Sequence, residues 1–252
     1  GSPGDRRPPD DVSCHWDARL VGLQKTSAVD FPGTIAATVF LSGCNLRCPF
    51  CHNPDLAVGR TPLSFQPIDK VLRFLERRAD VLGGVCISGG EPLLYDGLPD
   101  LTREIHELGL LVKLDTNGLL PDRLLAAHPD YVAMDLKTSP RRYRERLLGP
   151  ATELDAPTNP FDRVRASMAV LRESGLHYEY RTTVVPTIVE RDDAWAILAE
   201  LQPRERWFLQ QYRRETVLDS SFERLPATDG CLLEEIRRRA EERGVLCSVR
   251  DG

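Results

Sequence analysis

Three cysteines within eight residues form the densest group of reactive side chains in the sequence. Cys44, Cys48 and Cys51 are spaced by four and three residues, so one irregular loop can place three thiolates around one ion or cluster. Three soft sulfur ligands suit zinc or iron–sulfur chemistry. A structural zinc site needs a fourth ligand, and His52 is the adjacent candidate, although a ligand directly after Cys51 would strain a tetrahedral site. A four-iron cluster on three cysteines instead leaves one iron open for chemistry.

A second group of polar residues follows the apolar runs of the sequence, at the points where those runs end. The segments are Gly89-Gly90-Glu91, Asp115-Thr116, and Asp135 with Lys137. Glycine lets a backbone approach a ligand closely, and a carboxylate such as Glu91 accepts a hydrogen bond from an ammonium group. Active sites of parallel α/β folds lie at the carboxyl ends of strands, so these segments indicate one site.

The elements that position these residues alternate between strand and helix. Short, often β-branched runs predict six strands, at 35–41, 85–88, 112–115, 131–135, 178–185 and 207–211. Helical spacing predicts helices at 68–78, 98–108, 121–127, 161–174, 194–201 and 232–243, and a last short strand is allowed at 245–249. This alternation predicts an α/β fold with parallel strands, either an open sheet or a curved, incomplete barrel.

Composition fits a soluble globular protein, and the length allows one barrel-sized domain or two small ones. The chain has 252 residues, is 41% hydrophobic and 28% charged, and carries a net charge of -5, which argues against a protein that coats nucleic acid. Residues 1–15 are polar and rich in proline, which predicts a flexible leader before a single domain over 16–252. No membrane span or signal segment is expected, so we predict a cytoplasmic protein. The scattered cysteines are interpreted as structural: Cys14, Cys86, Cys231 and Cys247.

The cysteine spacing together with Gly-Gly-Glu-Pro after the next strand resembles the radical S-adenosylmethionine (SAM) superfamily. The resemblance implies an incomplete (β/α)6 barrel in which Cys44, Cys48 and Cys51 hold a [4Fe–4S] cluster. It also implies that the open iron binds SAM and that one-electron reduction cleaves SAM to methionine and a 5′-deoxyadenosyl radical.

The resemblance also assigns the SAM pocket. It implies that Gly89, Gly90 and Glu91 bind the SAM amino group, that Asn53 contacts SAM, and that Lys137 and Arg181 neutralise the carboxylate or contact ribose and adenine. It further implies a Na⁺ or K⁺ site formed by Asp115, Thr116, the Ala133 carbonyl and Asp135. The alternative is that Asp115 caps the next turn and that Asp135 pairs with Lys137 or a surface arginine.

Within the superfamily, the sequence resembles the activases of glycyl-radical enzymes. The segments 22–33 and 208–213 are most similar to activating proteins of anaerobic ribonucleoside-triphosphate reductase. Pyruvate formate-lyase activases carry a Pro-Tyr-His-like sequence near the second segment, where this chain has Arg213 after Tyr212.

The implied reaction abstracts hydrogen from a glycine Cα of a partner enzyme, with a flavodoxin- or ferredoxin-like protein as reductant. Three alternatives remain open: activation of another glycyl-radical enzyme, a small-molecule substrate, and a non-catalytic zinc module.

Overall fold

A nine-stranded sheet forms the centre of the protein. The computed structural model describes residues 20–60, 62, 64–148 and 159–250. The strands are β1 Leu20–Ser27, β2 Ala36–Leu41, β3 Gln66–Pro67, β4 Gly84–Gly89, β5 Leu111–Thr116, β6 Tyr131–Asp135, β7 His177–Val184, β8 Arg206–Gln211 and β9 Leu246–Arg250. Their order across the sheet is β3-β1-β2-β4-β5-β6-β7-β8-β9. Because β3 and β9 stand at opposite edges, the sheet is not closed.

Helices connect the parallel strands. They are α1 Pro54–Ala57, α2 Ile68–Glu76, α3 Leu98–Glu107, α4 Pro121–Leu124, α5 Tyr143–Leu147, α6 Pro160–Ser174, α7 Arg191–Glu200 and α8 Gly230–Glu242. The longest, α6, begins where the Asn159 side chain accepts a hydrogen bond from the Phe161 N–H, and it ends at Gly175 in the left-handed conformation. Among the described residues, no helix has the length and apolar character that crossing a membrane requires.

The predicted α/β class with an open, mostly parallel sheet is confirmed. All six predicted strands form, and the allowed short strand at the end of the chain is β9. In the order β2-β4-β5-β6-β7-β8-β9, every neighbouring pair of strands is parallel. The parallel part of the sheet therefore has seven strands, the six predicted ones and β9. Two further strands, β1 and β3, are antiparallel additions beside β2 that the sequence did not predict. The leader predicted at 1–15, with Cys14, lies outside the described residues.

Burial of apolar side chains between the sheet and its helices fixes the strand ends in place. Val85, Ile87, Val112, Leu114 and Val132 are 0% exposed on neighbouring strands. Because side chains alternate along a strand, the polar residues between these apolar ones lie on the other face of the sheet. Because these strands are parallel, the carboxyl ends of β2, β4, β5, β6 and β7 lie along the same side of the sheet. The predicted site residues lie at or after these strand ends.

Candidate active site at the carboxyl ends of the strands

One cavity at the carboxyl ends of the parallel strands is lined by nearly all of the site residues predicted from the sequence. Its lining includes Cys44, Cys48, Cys51, Asn53, Gly89, Gly90, Asp115, Thr116, Asp135, Lys137 and Arg181. Two predicted residues lie beneath this surface. Glu91 is 1% exposed, and Ala133 is 0% exposed and pairs with Asp115 between β5 and β6. Residues up to 137 positions apart therefore meet in one cavity.

The cysteine loop between β2 and α1 is held from two sides. The Arg47 side chain donates to the Cys44 carbonyl at 2.7 Å, and its main-chain N–H donates to the Leu147 carbonyl of α5 at 2.8 Å. On the other side, the Leu218 N–H donates to the Cys51 carbonyl at 3.1 Å. The segment that follows β8 thus supports the cysteine loop.

The chemistry of the cysteine loop fits a bound metal cluster. Burial raises the pKa of Cys44 to about 11 and that of Cys48 to about 12, so without a cation both remain neutral thiols near pH 7. A bound metal cation provides the positive charge that stabilises buried thiolates. The described His, Cys, Asp and Glu side chains contain no group of three that converges on a single ion. A four-iron cluster does not require convergence, since each cysteine binds a different iron.

The glycines at the end of β4 and directly after it are required by the backbone of β2 and of the residues that follow β2. A Cβ on Gly89, whose φ is +123°, would lie 2.1 Å from the Leu41 carbonyl oxygen. A Cβ on Gly90 would lie 1.8 Å from the Gly43 carbonyl oxygen. The sequence predicted close approach to a ligand, and the structure adds a close approach to the strand that leads into the cysteine loop.

Substitution of Gly90 is therefore expected to be severe. We expect Gly90→Ala to lower the free energy of unfolding by at least about 3 kcal/mol, because two backbone segments must separate. Gly230→Ala is the matched control, since nothing lies within 4 Å of its Cβ position, and it should change stability by less than about 1 kcal/mol. Urea unfolding measures both variants. Equal effects of the two substitutions would contradict the proposed packing of Gly90.

Glu91 ties the ends of β4 and β5 together. One carboxylate oxygen accepts from the Leu93 N–H at 3.1 Å and from the Thr116 hydroxyl at 2.8 Å. The other accepts from the Asn117 N–H at 2.7 Å. Burial raises the pKa of Glu91 from 4.5 to about 7, although these three donors oppose the shift. Both oxygens are thus used by the protein, beneath the cavity surface.

This raised pKa predicts a pH dependence of stability. Between about pH 5 and 7 the native protein holds a proton on Glu91 that the unfolded chain has released, so stability falls as pH rises through this window. We expect the loss to reach about 3 kcal/mol at most and to be absent in Glu91→Gln. Urea unfolding of both proteins from pH 4.5 to 8 provides the test. Parallel stability curves would show that Glu91 titrates normally.

A charged row at the cavity consists of Lys113, Asp115, Asp135, Lys137 and Arg181, and all of these except the buried Lys113 line the cavity. Arg181 bridges the two carboxylates, at 3.0 Å to Asp115 and 2.9 Å to Asp135. Lys113 also pairs with Asp115, and Lys137 pairs with Asp135 at 3.0 Å. Although burial opposes it, the charges of Arg181 and Lys113 lower the pKa of Asp115 to about 2. Three cations against two carboxylates leave one net positive charge, which suits an anionic ligand.

Several residues of the site were not predicted. Lys113, 2% exposed, is buried within β5 and shares a strand face with Asp115; a lysine inside an apolar run was the available signal. Ser88, Asn117 and Thr183 also line the cavity. His52 borders the cavity and lies against Tyr212, with ring centroids 5.9 Å apart. The other described histidines lie outside the cavity lining: His106, His128 and His177.

Comparisons with known proteins identify the family. Residues 38–199 match the family model of the radical SAM superfamily, which confirms the resemblance found in the sequence. A provisionally named glycyl-radical enzyme activating enzyme of Methanocaldococcus jannaschii is 27% identical over 89% of this chain and 92% of its own. The pyruvate formate-lyase-activating enzyme of Clostridium pasteurianum is 36% identical, but the match covers 47% of this chain and 52% of that relative.

Solved structures show the same fold. TYW1 with a lysine-pyruvate adduct bound aligns with a TM-score of 0.57 and 17% identity, over 82% of this chain and 73% of that one. Streptococcus suis SuiB bound to S-adenosylmethionine aligns with a TM-score of 0.57 and 18% identity, over 84% of this chain and 51% of that one. These similarities concern the fold alone.

Proposed function

The chain is an enzyme of the radical SAM superfamily, and from this membership we propose that it activates a glycyl-radical enzyme. The observation that carries the proposal is the cavity whose lining brings Cys44, Cys48 and Cys51 together with Gly89, Gly90 and four members of the charged row. When bound there, a [4Fe–4S] cluster and SAM supply a 5′-deoxyadenosyl radical that takes a hydrogen atom from a glycine Cα of the partner.

The residues of the chain bind and orient these groups. Cys44, Cys48 and Cys51 provide three thiolates for the cluster. The net positive charge of the charged row attracts the carboxylate of SAM, with Arg181 and Lys137 as its partners. The backbone of Gly89 and Gly90 borders the same cavity and is placed to receive the amino group. Thr116 and Asn53 complete the polar lining around the ligand.

The Na⁺ or K⁺ site is a separate part of the proposal. Asp115 and Asp135 are already paired with cationic side chains of the charged row. A monovalent cation at these carboxylates therefore requires Arg181 or Lys137 to turn toward SAM, which would free carboxylate oxygens. The cation and the SAM carboxylate are then expected to bind together, so K⁺ should tighten SAM binding.

Similarity to activating enzymes supports a protein substrate. The match to the Methanocaldococcus protein extends over nearly the whole of both chains. The segments 22–33 and 208–213 favour anaerobic ribonucleoside-triphosphate reductase as the partner. We also propose a flavodoxin- or ferredoxin-like protein as the reductant and a cytoplasmic location.

A small-molecule substrate is the second candidate. The 7-carboxy-7-deazaguanine synthase of Methanopyrus kandleri is 34% identical over 42% of this chain and 51% of that relative. That partial match supports an enzyme of the same superfamily that acts on a small molecule.

The experiment that separates these candidates measures a radical on the partner. The reduced, reconstituted protein is mixed with SAM and an anaerobic ribonucleoside-triphosphate reductase, and electron paramagnetic resonance (EPR) is recorded. We expect the doublet of a glycyl radical, which should be absent when Cys44→Ala protein is used. SAM cleavage without a radical on any glycyl-radical enzyme tested would instead favour a small-molecule substrate. Zinc at one per chain with no iron would indicate the non-catalytic zinc module.

A further inference from the structure

Asn117 connects the end of β5 with the first cysteine of the loop. It follows β5 directly, is 4% exposed, and lines the cavity. Its side-chain nitrogen lies 3.9 Å from the Cys44 sulfur and 2.7 Å from the side-chain oxygen of Asn45. A nitrogen–sulfur distance near 3.9 Å is long for a hydrogen bond, but the amide has a hydrogen for each of these two neighbours.

The orientation of this amide is fixed by its other contacts. The side-chain oxygen of Asn117 accepts from the Leu119 N–H at 3.1 Å, so the nitrogen is the atom that faces Cys44. The main-chain N–H donates to Glu91 at 2.7 Å, and Glu91 also holds Thr116. Asn117 is therefore held at its main chain and at its side chain, and it presents a donor to the cysteine.

This donor distinguishes Cys44 from the other two cysteines of the loop. The Cys44 sulfur also accepts from the Leu46 N–H at 3.4 Å. Within the described parts of the chain, the sulfurs of Cys48 and Cys51 show no comparable hydrogen bond. A hydrogen bond to a thiolate ligand stabilises the more negative, reduced state of an iron–sulfur cluster and so raises its reduction potential.

We propose that Asn117 is a positioning residue that donates a hydrogen bond to Cys44 and thereby raises the reduction potential of the bound cluster. This inference rests on the proposed function, because it requires a cluster at the cysteine loop. It adds a role for the segment that follows β5, in which Glu91 holds the main chain and Asn117 contacts the metal ligand.

The test compares cluster potentials by EPR-monitored redox titration of anaerobically reconstituted protein. Asn117→Asp keeps the acceptor for the Leu119 N–H, removes the donor to Cys44 and adds a negative charge, whereas Asn117→Leu removes the donor without adding a charge. Both variants should lower the reduced-to-oxidised ratio at a fixed potential by at least about threefold, which is about 28 mV for one electron. A lower ratio in Asn117→Asp alone would be an effect of its charge and would overturn the inference. Asn45→Ala is the matched control, because it removes the other partner of the same amide, and its potential should equal that of the wild type.

The outcomes separate this inference from the proposed function. If Asn117→Asp carries a full cluster with the wild-type potential, the role of Asn117 is wrong while the proposed function stands. If the wild-type chain assembles no cluster, both fail. If Asn117→Asp does not hold a cluster, a second measurement tests the contact between Asn117 and the cluster. The asparagine side chains are labelled with ¹⁵N in a protein that carries both Asn45→Ala and Asn53→Ala. Pulsed EPR should then show ¹⁵N coupling to the reduced cluster, and its absence would overturn the inference.

Discussion

Replacing Cys48 by serine is expected to lower the formation of 5′-deoxyadenosine from SAM by at least about a hundredfold. Cys48 is 7% exposed, and burial raises the pKa of its thiol to about 12. A serine hydroxyl at this position is a poorer and much less acidic ligand, so the cluster should be lost or unstable. Iron and sulfide content, measured beside product formation under anaerobic conditions, should fall with activity.

A buried cysteine outside the loop provides the control for this prediction. Cys247 is 6% exposed in β9, so Cys247→Ser tests the loss of a buried thiol without changing the cysteine loop. It should retain cluster content and a rate within about twofold of the wild type, apart from any loss of stability. Wild-type activity in Cys48→Ser would contradict the assignment of Cys48 as a ligand.

Arg181→Met is expected to weaken SAM binding by at least about tenfold and to lower the free energy of unfolding by about 3 kcal/mol. Arg181 bridges Asp115 and Asp135, so its loss leaves two carboxylates with fewer partners. The net charge of the charged row then falls from one positive charge to zero. Binding is measured by calorimetry on the anaerobic protein, and stability by urea unfolding.

Arg172 offers a matched control for the charge effect. It pairs with Glu205 at 2.8 Å, away from the cavity lining, and its side chain is 24% exposed. Arg172→Met should lower stability while leaving SAM affinity unchanged. If Arg181→Met loses stability but binds SAM as tightly as the wild type, then the charged row stabilises the fold and does not recognise the ligand.

The strands that carry the site could be predicted because their signals are local. Apolar, β-branched runs such as 131–135 are buried on both faces of a parallel sheet, and they end at polar residues. The strands β1 and β3 were missed for physical reasons. Residues 24–26 of β1 are exposed, and β3 has two residues, so neither has the apolar run of a central strand. Their pairing depends on neighbours in the sheet.

The location of the site could be predicted where residue type and spacing carry the chemistry, as for the three cysteines, whereas Arg181 was predicted from the resemblance. The hydrogen bonds of Glu91 and Asn117 could not be predicted, because they join residues distant in sequence. Glu91 and the Asn117 N–H are 26 positions apart, and Asn117 lies 73 positions from Cys44. Arg181 was expected to contact a ligand. Its ion pair with Asp115 could not be predicted, because that pair depends on the order of β5, β6 and β7 in the sheet.

EPR of the anaerobically reconstituted, dithionite-reduced protein, recorded with and without SAM, shows whether the cysteine loop holds a cluster that SAM binds. We expect the signal of a reduced [4Fe–4S] cluster that changes when SAM is added, because SAM binds the iron that the three cysteines leave open. A reduced cluster whose signal is unaffected by saturating SAM would contradict the cavity as the SAM site. A protein that holds zinc and no iron would contradict the radical chemistry altogether.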